Sequence, residues 1–400
     1  MAKKNVLLVV SNLRGGGMER VASIVTFLLK DTYHVKMVIL DDKNKKYDIA
    51  CEYRAINIEN KNAFDKVFCA IRRIIAVRKI KKEWDIDISL SFGFGGSSEY
   101  VNVFSARRDK IFLSMHGYST VKPPTKFVAK MLRHVILSKA HTILCVSKKM
   151  VAAAQENYPK HREKFKPLYN PYETHIIAEL KKEPLSNYQQ LFDNHQVIIA
   201  AGTHKREKGY WHLVKAFSEA KKEYPDIKLL ILGRADGERD KRNKEQLEAL
   251  IASLGLVDDV ILGGFEENPF RYISRSAMFV LSSVSEGFPN VLAESMACGI
   301  PVVAVDCNTG PREMLSEGNP LQVATGIEHQ DYGLLVPPMT AHENYDASDI
   351  EACDVVLAEA IKRYLGDKEL ATDYARKAQI GVSRFTQDVF KETLIERFEF

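Results

Sequence analysis

Short apolar runs alternate with amphipathic stretches along almost the whole chain, and few folds accommodate that rhythm. It is the pattern of parallel strands covered by helices on both faces. In the first half the expected strands are Val6–Ser11, Val35–Leu40, Ile86–Ser91, Ile111–Met115 and Thr142–Val146, with helices at Glu19–Leu29, Ala63–Lys82 and Thr125–Ser138. The rhythm stops near Tyr169-Asn170-Pro171, and a polar stretch to about Asn194 reads as a linker. A second series follows, with strands at Val197–Ala201, Lys228–Leu232, Val260–Leu262, Met278–Leu281 and Pro301–Val305. Helices are expected there at Trp211–Lys222, Lys241–Leu254, Val291–Ala297, Ile350–Leu365, Lys368–Ile380 and Gln387–Phe398. The chain of 400 residues is also too long for one ordinary core. Two Rossmann-like domains are therefore expected, residues 1–178 and 195–380, with 381–400 a last helix returning to the first domain. Ligands of such folds sit beyond the carboxyl ends of the strands, so two facing halves would make one interdomain cleft.

Charge divides the same way. Of 57 Lys/Arg and 52 Asp/Glu, residues 1–180 hold 32 and 17, which leaves 25 and 35 for the remainder. The first half is strongly basic and should face something anionic. Residues 61–82 carry eight Lys/Arg with Phe68, Ile71, Ile74 and Ile75 near helical spacing, and residues 125–139 set Lys126, Lys130 and Arg133 beside Phe127, Met131 and Leu132. Basic amphipathic helices can lie on anionic membranes. No nucleic-acid recognition module accompanies the charge. No apolar run reaches the roughly 18–20 residues that span a bilayer. The opening MAKKNVLLVVSNL runs into a glycine turn rather than a cleavage site, and reads as a first buried strand. Six scattered cysteines show no ligand spacing and fit a reducing, cytoplasmic setting.

Three segments carry candidate chemistry. The first strand leads into Leu13-Arg14-Gly15-Gly16-Gly17-Met18-Glu19-Arg20 and a helix. Consecutive glycines bring backbone N–H groups close to an anion at a helix end. The spacing is not G-x-G-x-x-G, so a phosphate or sugar contact, a dinucleotide site with Asp41 or Asp42 on a ribose, and a plain tight turn all remain open. Asp85-Ile86-Asp87 has the Asp-x-Asp form of a divalent-metal site but stands at the start of a strand, opposite the expected cleft; no metal is expected there. The third segment is residues 281–306, where a strand ends at Ser282-Ser283, a Gly/Pro loop follows, and a helix starts near Asn290. Glu286 lies in the loop and Glu294 eight positions later in the helix. Diphosphate at the helix end, with sugar or ribose hydroxyls on the carboxylates, would satisfy that arrangement.

This last segment resembles the Glu-x7-Glu signature of family-4 retaining glycosyltransferases, which have the GT-B fold. The likeness extends over nearly the whole chain, through the GGGMER turn, His116 after a strand, Lys208-Gly209, and Thr309-Gly310-Pro311-Arg312-Glu313-Met314-Leu315. It implies that Glu286 contacts the donor sugar, that Glu294 binds the ribose hydroxyls and that His116 touches the sugar. It also implies that Gly264-Phe265 reads the nucleotide base, and that Gly16, Gly17 and the Gly287-Phe288-Pro289-Asn290-Val291 turn line the donor site. Against the family's G-R-L-x-x-x-K-G pattern the chain reads Gly202-Thr203-His204-Lys205-Arg206-Glu207-Lys208-Gly209. Lys208 matches the phosphate-binding lysine; the family arginine is Thr203 here, and Arg206 is the expected substitute. The implied reaction is retaining transfer of a hexose or N-acetylhexosamine from a nucleotide sugar, UDP-linked, without a metal cofactor. The acceptor would be lipid-linked or a polysaccharide, and the enzyme peripheral on the inner face of the cell membrane, with catalytic residues Glu286, His116 and Lys208. An NAD-dependent oxidoreductase using the first half, or a nucleotide-sugar-binding protein without turnover, are the alternatives.

Overall fold

A computed structural model describes residues 3–58 and 65–399. The chain forms two compact units, one of residues up to Pro171 together with those from Gln387 onward, the other Tyr172–Thr386. In the first unit the order is β1 (Asn5–Val10), α1 (Gly17–Leu29), β2 (His34–Ile39), β3 (Glu52–Ala55), α2 (Asp65–Glu83), β4 (Ile88–Phe92), α3 (Ser97–Phe104), β5 (Lys110–Met115), α4 (Phe127–Lys139), β6 (Thr142–Cys145), α5 (Lys148–Asn157) and β7 (Phe165–Pro167). The sheet runs β3-β2-β1-β4-β5-β6-β7. Every pairing in it is parallel. Strand β1 shows why its sequence is nearly all apolar. Val6, Leu8 and Val10 join the core under α1, while Leu7 and Val9 join the core under α2. A strand covered on both faces needs apolar side chains at odd and even positions alike.

The second unit begins with α6 (Thr174–Leu180) and α7 (Gln189–Asn194), then β8 (Gln196–Ala201), α8 (Tyr210–Lys221), β9 (Ile227–Leu232), α9 (Glu238–Ser253), β10 (Val260–Gly264), α10 (Phe270–Ile273), β11 (Met278–Leu281), α11 (Asn290–Cys298), β12 (Val302–Val305), α12 (Pro311–Leu315), β13 (Glu328–His329), β14 (Leu334–Val336), α13 (Ala352–Gly366) and α14 (Lys368–Val382). Its sheet order, β10-β9-β8-β11-β12-β14-β13, repeats the plan of the first and ends in one antiparallel pair. In each sheet the order reverses beside the first long strand, between β1 and β4 and again between β8 and β11. Loops leaving those strand ends diverge to opposite sides, which opens a crevice where ligands are bound in such sheets.

The expected linker is structured. Ile177 is fully buried, the Asn268 amide donates to the Leu180 carbonyl at 2.9 Å, and Lys181 donates to the Cys298 carbonyl at 3.0 Å. The stretch looks like a linker because its polar side chains bond backbone groups of neighbouring elements, which no local pattern records. The boundary thus falls after Pro171 rather than at 178 to 195. The second boundary follows Thr386 rather than 380, because Phe385 packs edge-on against Phe288, with ring centroids 5.3 Å apart, and Arg384 donates to the Glu313 and Met314 carbonyls. Strands β3, β7, β13 and β14 and helices α3 and α5 carry no expectation from the sequence; β3 is the polar edge segment Glu-Tyr-Arg-Ala.

The last helix, α15 (Gln387–Glu399), belongs to the first unit and sets Phe390, Leu394 and Phe398 into the core beneath β1. The Phe398 ring lies 4.9 Å from that of Phe112 and 5.9 Å from that of Tyr33, both edge-on. Lys4 and Tyr33 hold Glu399 at 2.8 and 3.0 Å. Truncating a fully buried phenylalanine to alanine costs about 3–5 kcal/mol. Phe398→Ala should lower the stability of the first unit by that amount, read as a fall in urea midpoint with an unchanged slope.

Candidate functional site

In the second unit two loops meet at the switch between β8 and β11. The first, Gly202–Gly209, closes in a 3₁₀ turn over Arg206–Lys208 and enters α8 at Gly209, whose φ of +60° is left-handed. A Cβ at Gly209 would stand 2.3 Å from the Ser282 carbonyl oxygen, so only glycine lets the loops approach this closely. The second loop leaves β11 at Ser282 and ends at Pro289, before α11. Three bonds join them: Ser282 Oγ donates to the Lys208 carbonyl at 2.9 Å, the Val284 amide to the Glu207 carbonyl at 2.9 Å, and Lys208 Nζ to Glu286 Oε1 at 2.7 Å. Ser283 Oγ also donates to Glu286 Oε1, at 2.7 Å, and Thr309 Oγ1 donates to the Glu286 carbonyl at 2.7 Å. Glu286, placed in the loop as its sequence position implies, is half of a fixed, partly buried ion pair.

Helix α11 opens one residue past this loop, with Pro289 as its N-cap and Tyr172 donating to Asn290 Oδ1 at 3.0 Å. Its N-terminal dipole favours negative charge beside Lys208. Glu294 lies one turn into the helix and is half-buried. Gly287 and Phe288 pack under Gly310, where a Cβ would meet the Gly287 carbonyl at 3.0 Å, and φ at Gly310 is +97°. Val291 follows Asn290 in the first turn of α11.

Two strands along the sheet, about 10 Å from β8 at ordinary strand spacing, β10 ends at Gly264 with φ +73°. Phe265 follows and is 65% exposed, an unusual cost for a large ring. The Arg234 guanidinium lies over it, 5.3 Å from the centroid. A nucleobase and a diphosphate are separated by about this span, with the ribose between. Arg234, Ser283 and Thr309 were not expected from sequence; only the Ser282-Ser283 strand end and the TGPREML motif pointed toward two of them.

Arg206 does not join this group. Its guanidinium donates to the Ala341 carbonyl, with Nε at 3.2 Å, and lies 3.8 Å from Glu343. That segment is itself anchored by buried His212, which bonds Asp354 through Nδ1 at 2.5 Å and the Thr340 carbonyl through Nε2 at 2.9 Å. Burial opposes charge on His212, but the bonds to Asp354, Cys353 and Thr340 prevail and push its pKa up to about 10. His212, Cys353 and Asp354 also place potential metal-ligating atoms within 4.8 Å of one another, yet both imidazole nitrogens already have protein partners.

In the first unit, Gly16 precedes α1 and Gly17 opens it; a Cβ at Gly16 would collide with Glu19. His116 follows β5, its Nε2 2.8 Å from Ser114 Oγ and its ring 6.1 Å from that of Phe92. Burial pushes its pKa down to about 4, so it is a neutral imidazole at physiological pH. Asp85 pairs with Arg108, and Asp87 accepts the Asn5 amide at 2.8 Å; both precede β4, at the sheet edge opposite the glycine turn.

Residues 181–343 match the family described as glycosyl transferases group 1. They include Lys208, Gly264, Phe265, Glu286 and Glu294 but neither His116 nor the glycine turn. Over 245 residues, 60% of this chain and 58% of that protein, the chain is 30% identical to the uncharacterized glycosyltransferase MJ1059 of Methanocaldococcus jannaschii. It is 25% identical, over 94% of both chains, to the N-acetylgalactosamine-N,N'-diacetylbacillosaminyl-diphospho-undecaprenol 4-alpha-N-acetylgalactosaminyltransferase of Campylobacter jejuni. Among solved structures, a glycosyltransferase of Rickettsia africae superposes with a TM-score of 0.77 at 17% identity, covering 100% of this chain and 98% of that one. Anabaena HepE in complex with UDP and glucose gives 0.73 at 16%, over 99% of each. The fold is that of these GT-B proteins.

A group with a raised folded pKa stabilises fully below its unfolded value, near 6.5 for histidine, and that stability is lost as pH rises to the folded value. The second unit should therefore lose stability between pH 6.5 and about 10. Urea unfolding across that range should show the decline in the wild type and a much flatter profile in His212→Gln.

Proposed function

We infer that this chain, a member of the group 1 glycosyltransferases through residues 181–343, transfers a hexose or N-acetylhexosamine from a UDP-linked donor to a lipid-linked or polysaccharide acceptor, retaining the anomeric configuration. The observation that carries this reading is the 2.7 Å Lys208–Glu286 pair beside the N-terminus of α11. A departing nucleoside diphosphate needs positive charge already in place, and a lysine with a helix end supplies it without reorganisation. Glu286, released in part as Lys208 turns to phosphate, orients a sugar hydroxyl. Glu294 takes the ribose diol, and the exposed Phe265 ring offers the base a stacking face. His116, neutral, can donate or accept toward a sugar hydroxyl but cannot act as a cation. The alpha linkages in the names of the Campylobacter relative and of a Bacillus subtilis poly(glycerol-phosphate) alpha-glucosyltransferase are what retention yields from an alpha-linked donor.

Turnover is proposed to need no metal, because Asp85 and Asp87 are engaged by Arg108 and the Asn5 amide. The dinucleotide reading of the first unit is disfavoured in the same way. Asp41, placed to hold a ribose, is ion-paired with Arg14 and accepts the Lys43 amide at 3.1 Å. In steady-state kinetics with UDP-sugars, Lys208→Ala should slow transfer by roughly 10²–10³-fold. Arg206→Ala should cost far less, since its guanidinium serves the Ala341 segment. Glu294→Ala should weaken UDP binding by about 1.5–3 kcal/mol in calorimetry. Wild-type UDP affinity in that variant would remove the ribose assignment.

A peripheral place on an anionic membrane, at the inner face of the cell membrane, belongs to the same proposal. No helix among the described residues is long and apolar enough to cross a bilayer. On α4, Phe127 and Val128 are 75% and 76% exposed, and Met131 and Leu132 are exposed beside Lys126 and Lys130. On α2, Phe68, Ile71 and Ile75 are exposed, whereas Ile74 packs on the core; residues 61–64 of that basic stretch lie outside the described residues. Both helices pack against α3. Each cation near an anionic surface contributes about 1 kcal/mol. Phe127→Ser combined with Lys126→Glu and Lys130→Glu should abolish sedimentation with phosphatidylserine vesicles. Equal sedimentation of the wild type with neutral vesicles would overturn the electrostatic part.

A further inference from the structure

The ends of β8, β9 and β10 lead in turn to Lys208, Arg234 and Phe265, and their backbones go on pairing beyond the strands. The Gly202 amide donates to the Leu232 carbonyl at 2.8 Å, the Gly233 amide to the Gly264 carbonyl at 2.6 Å, and the His204 amide to the Arg234 carbonyl at 3.1 Å. On its other side the His204 carbonyl accepts the Asn243 side-chain amide of α9 at 3.0 Å. His204 thus belongs to the Lys208 loop, yet its backbone is fastened to the Arg234 segment, whose guanidinium covers the Phe265 ring.

The side chain raises a question of its own. It is buried at a position where the G-R-L-x-x-x-K-G pattern has leucine. It lines a cavity of about 10 Å³ with Trp211 of α8, Asn243 and Tyr345. Among the described residues, neither His204 Nε2 nor the Nε1 of the buried Trp211 has a hydrogen-bond partner. Burial, with Lys244 nearby, holds the His204 pKa below the usual histidine range, so the ring is neutral at physiological pH. An indole N–H can only donate, while Nε2 of a neutral imidazole donates or accepts according to its tautomer. A water satisfies both nitrogens whichever tautomer is present, and it needs roughly 10–15 Å³ and at least two polar partners. We propose that one buried water, shared by His204 and Trp211, makes His204 the joint that holds the Lys208 loop in register with the Arg234–Phe265 arm. The proposal rests on the reading of Lys208 as the phosphate ligand and Phe265 as the base-stacking ring, and it makes His204 a positioning residue.

Packing holds both rings for this role. The His204 ring meets Tyr210 edge-on with centroids 5.6 Å apart, and the Trp211 ring lies 5.8 Å from that of Tyr345. A leucine at 204 would leave the Trp211 N–H buried without an acceptor, which is costly. A chloride could accept from both nitrogens, but these neutral partners would not repay the loss of its hydration. Register matters because the two arms bind opposite ends of one ligand. Each half can bind its own arm wherever the other arm stands, whereas the linked ligand gains its advantage only when both are correctly spaced.

The test uses the full chain. Crystal structures fine enough to show ordered water should place one within hydrogen-bond distance of both ring nitrogens in the wild type. It should persist in His204→Gln, whose amide reaches the place of Nε2, and be lost from His204→Leu. Calorimetry then compares UDP with its two halves, uridine and pyrophosphate, titrated separately. His204→Leu should weaken UDP binding about tenfold, the scale of losing one such hydrogen bond. Each half should weaken by less than about twofold, because a half needs no register. Trp211→Phe, which removes the N–H and keeps an aromatic ring, should show the same split to a smaller degree, and His204→Gln should bind UDP as the wild type does. Equal weakening of UDP and uridine, or a lowered melting temperature with unchanged UDP affinity, overturns the joint. So does a chloride ion or a protein atom found on the two nitrogens. If the wild type binds neither UDP nor its halves, the donor reading fails, while a water present in the wild type and lost from His204→Leu still upholds the joint.

Discussion

Parallel strands cannot be joined by tight turns; each must return over a face of the sheet before the next begins. Much else in this protein follows from that requirement. Every strand of a parallel set ends at the same edge, so the loops carrying functional side chains collect there. Where the order reverses, between β1 and β4 and between β8 and β11, the covering helices part and the loops open a crevice. Gly16, Gly17 and Asp41 are gathered at that edge in the first unit, and Lys208, Glu286 and Phe265 in the second.

Within the second unit the crevice is held narrow by backbone. The Ser282 and Val284 bonds to the 207–208 carbonyls join two loops 74 or more residues apart in sequence, and glycine at 209 is the condition for their approach. A neighbouring contact shows the same constraint: a Cβ at Gly233 would stand 1.7 Å from the Gly202 carbonyl oxygen. Lys208 and Glu286 meet because their loops are sewn together, not because the ion pair draws them. Such a partly buried pair is a poor source of stability, because removing both charges from water offsets most of their attraction.

The first unit carries a different kind of surface. Its basic helices α2 and α4 keep large apolar side chains in solvent. Exposed Phe127 and Val128 cost hydrophobic free energy with no return inside the unit. That arrangement spends folding stability, and exposed apolar groups clustered in this way mark interaction surfaces.

Local pattern gave the buried strands to within a residue or two, because burial on both faces leaves few residue types possible; β1, β5, β8 and β11 are the plainest cases. It also singled out Glu286, Glu294 and the glycine turn, since motif spacing survives in one dimension; Lys208 came from the family resemblance. Residues 172–194 read as a linker for the opposite reason: Lys181 and Glu183 are satisfied by Cys298 and Asn268, 117 and 85 residues away. The pairing of Lys208 with Glu286 and the turning of Arg206 toward Ala341 were decided by tertiary structure alone. Which cation a carboxylate or a carbonyl receives depends on distances across strands, and those are set by sheet order, which no stretch of sequence contains.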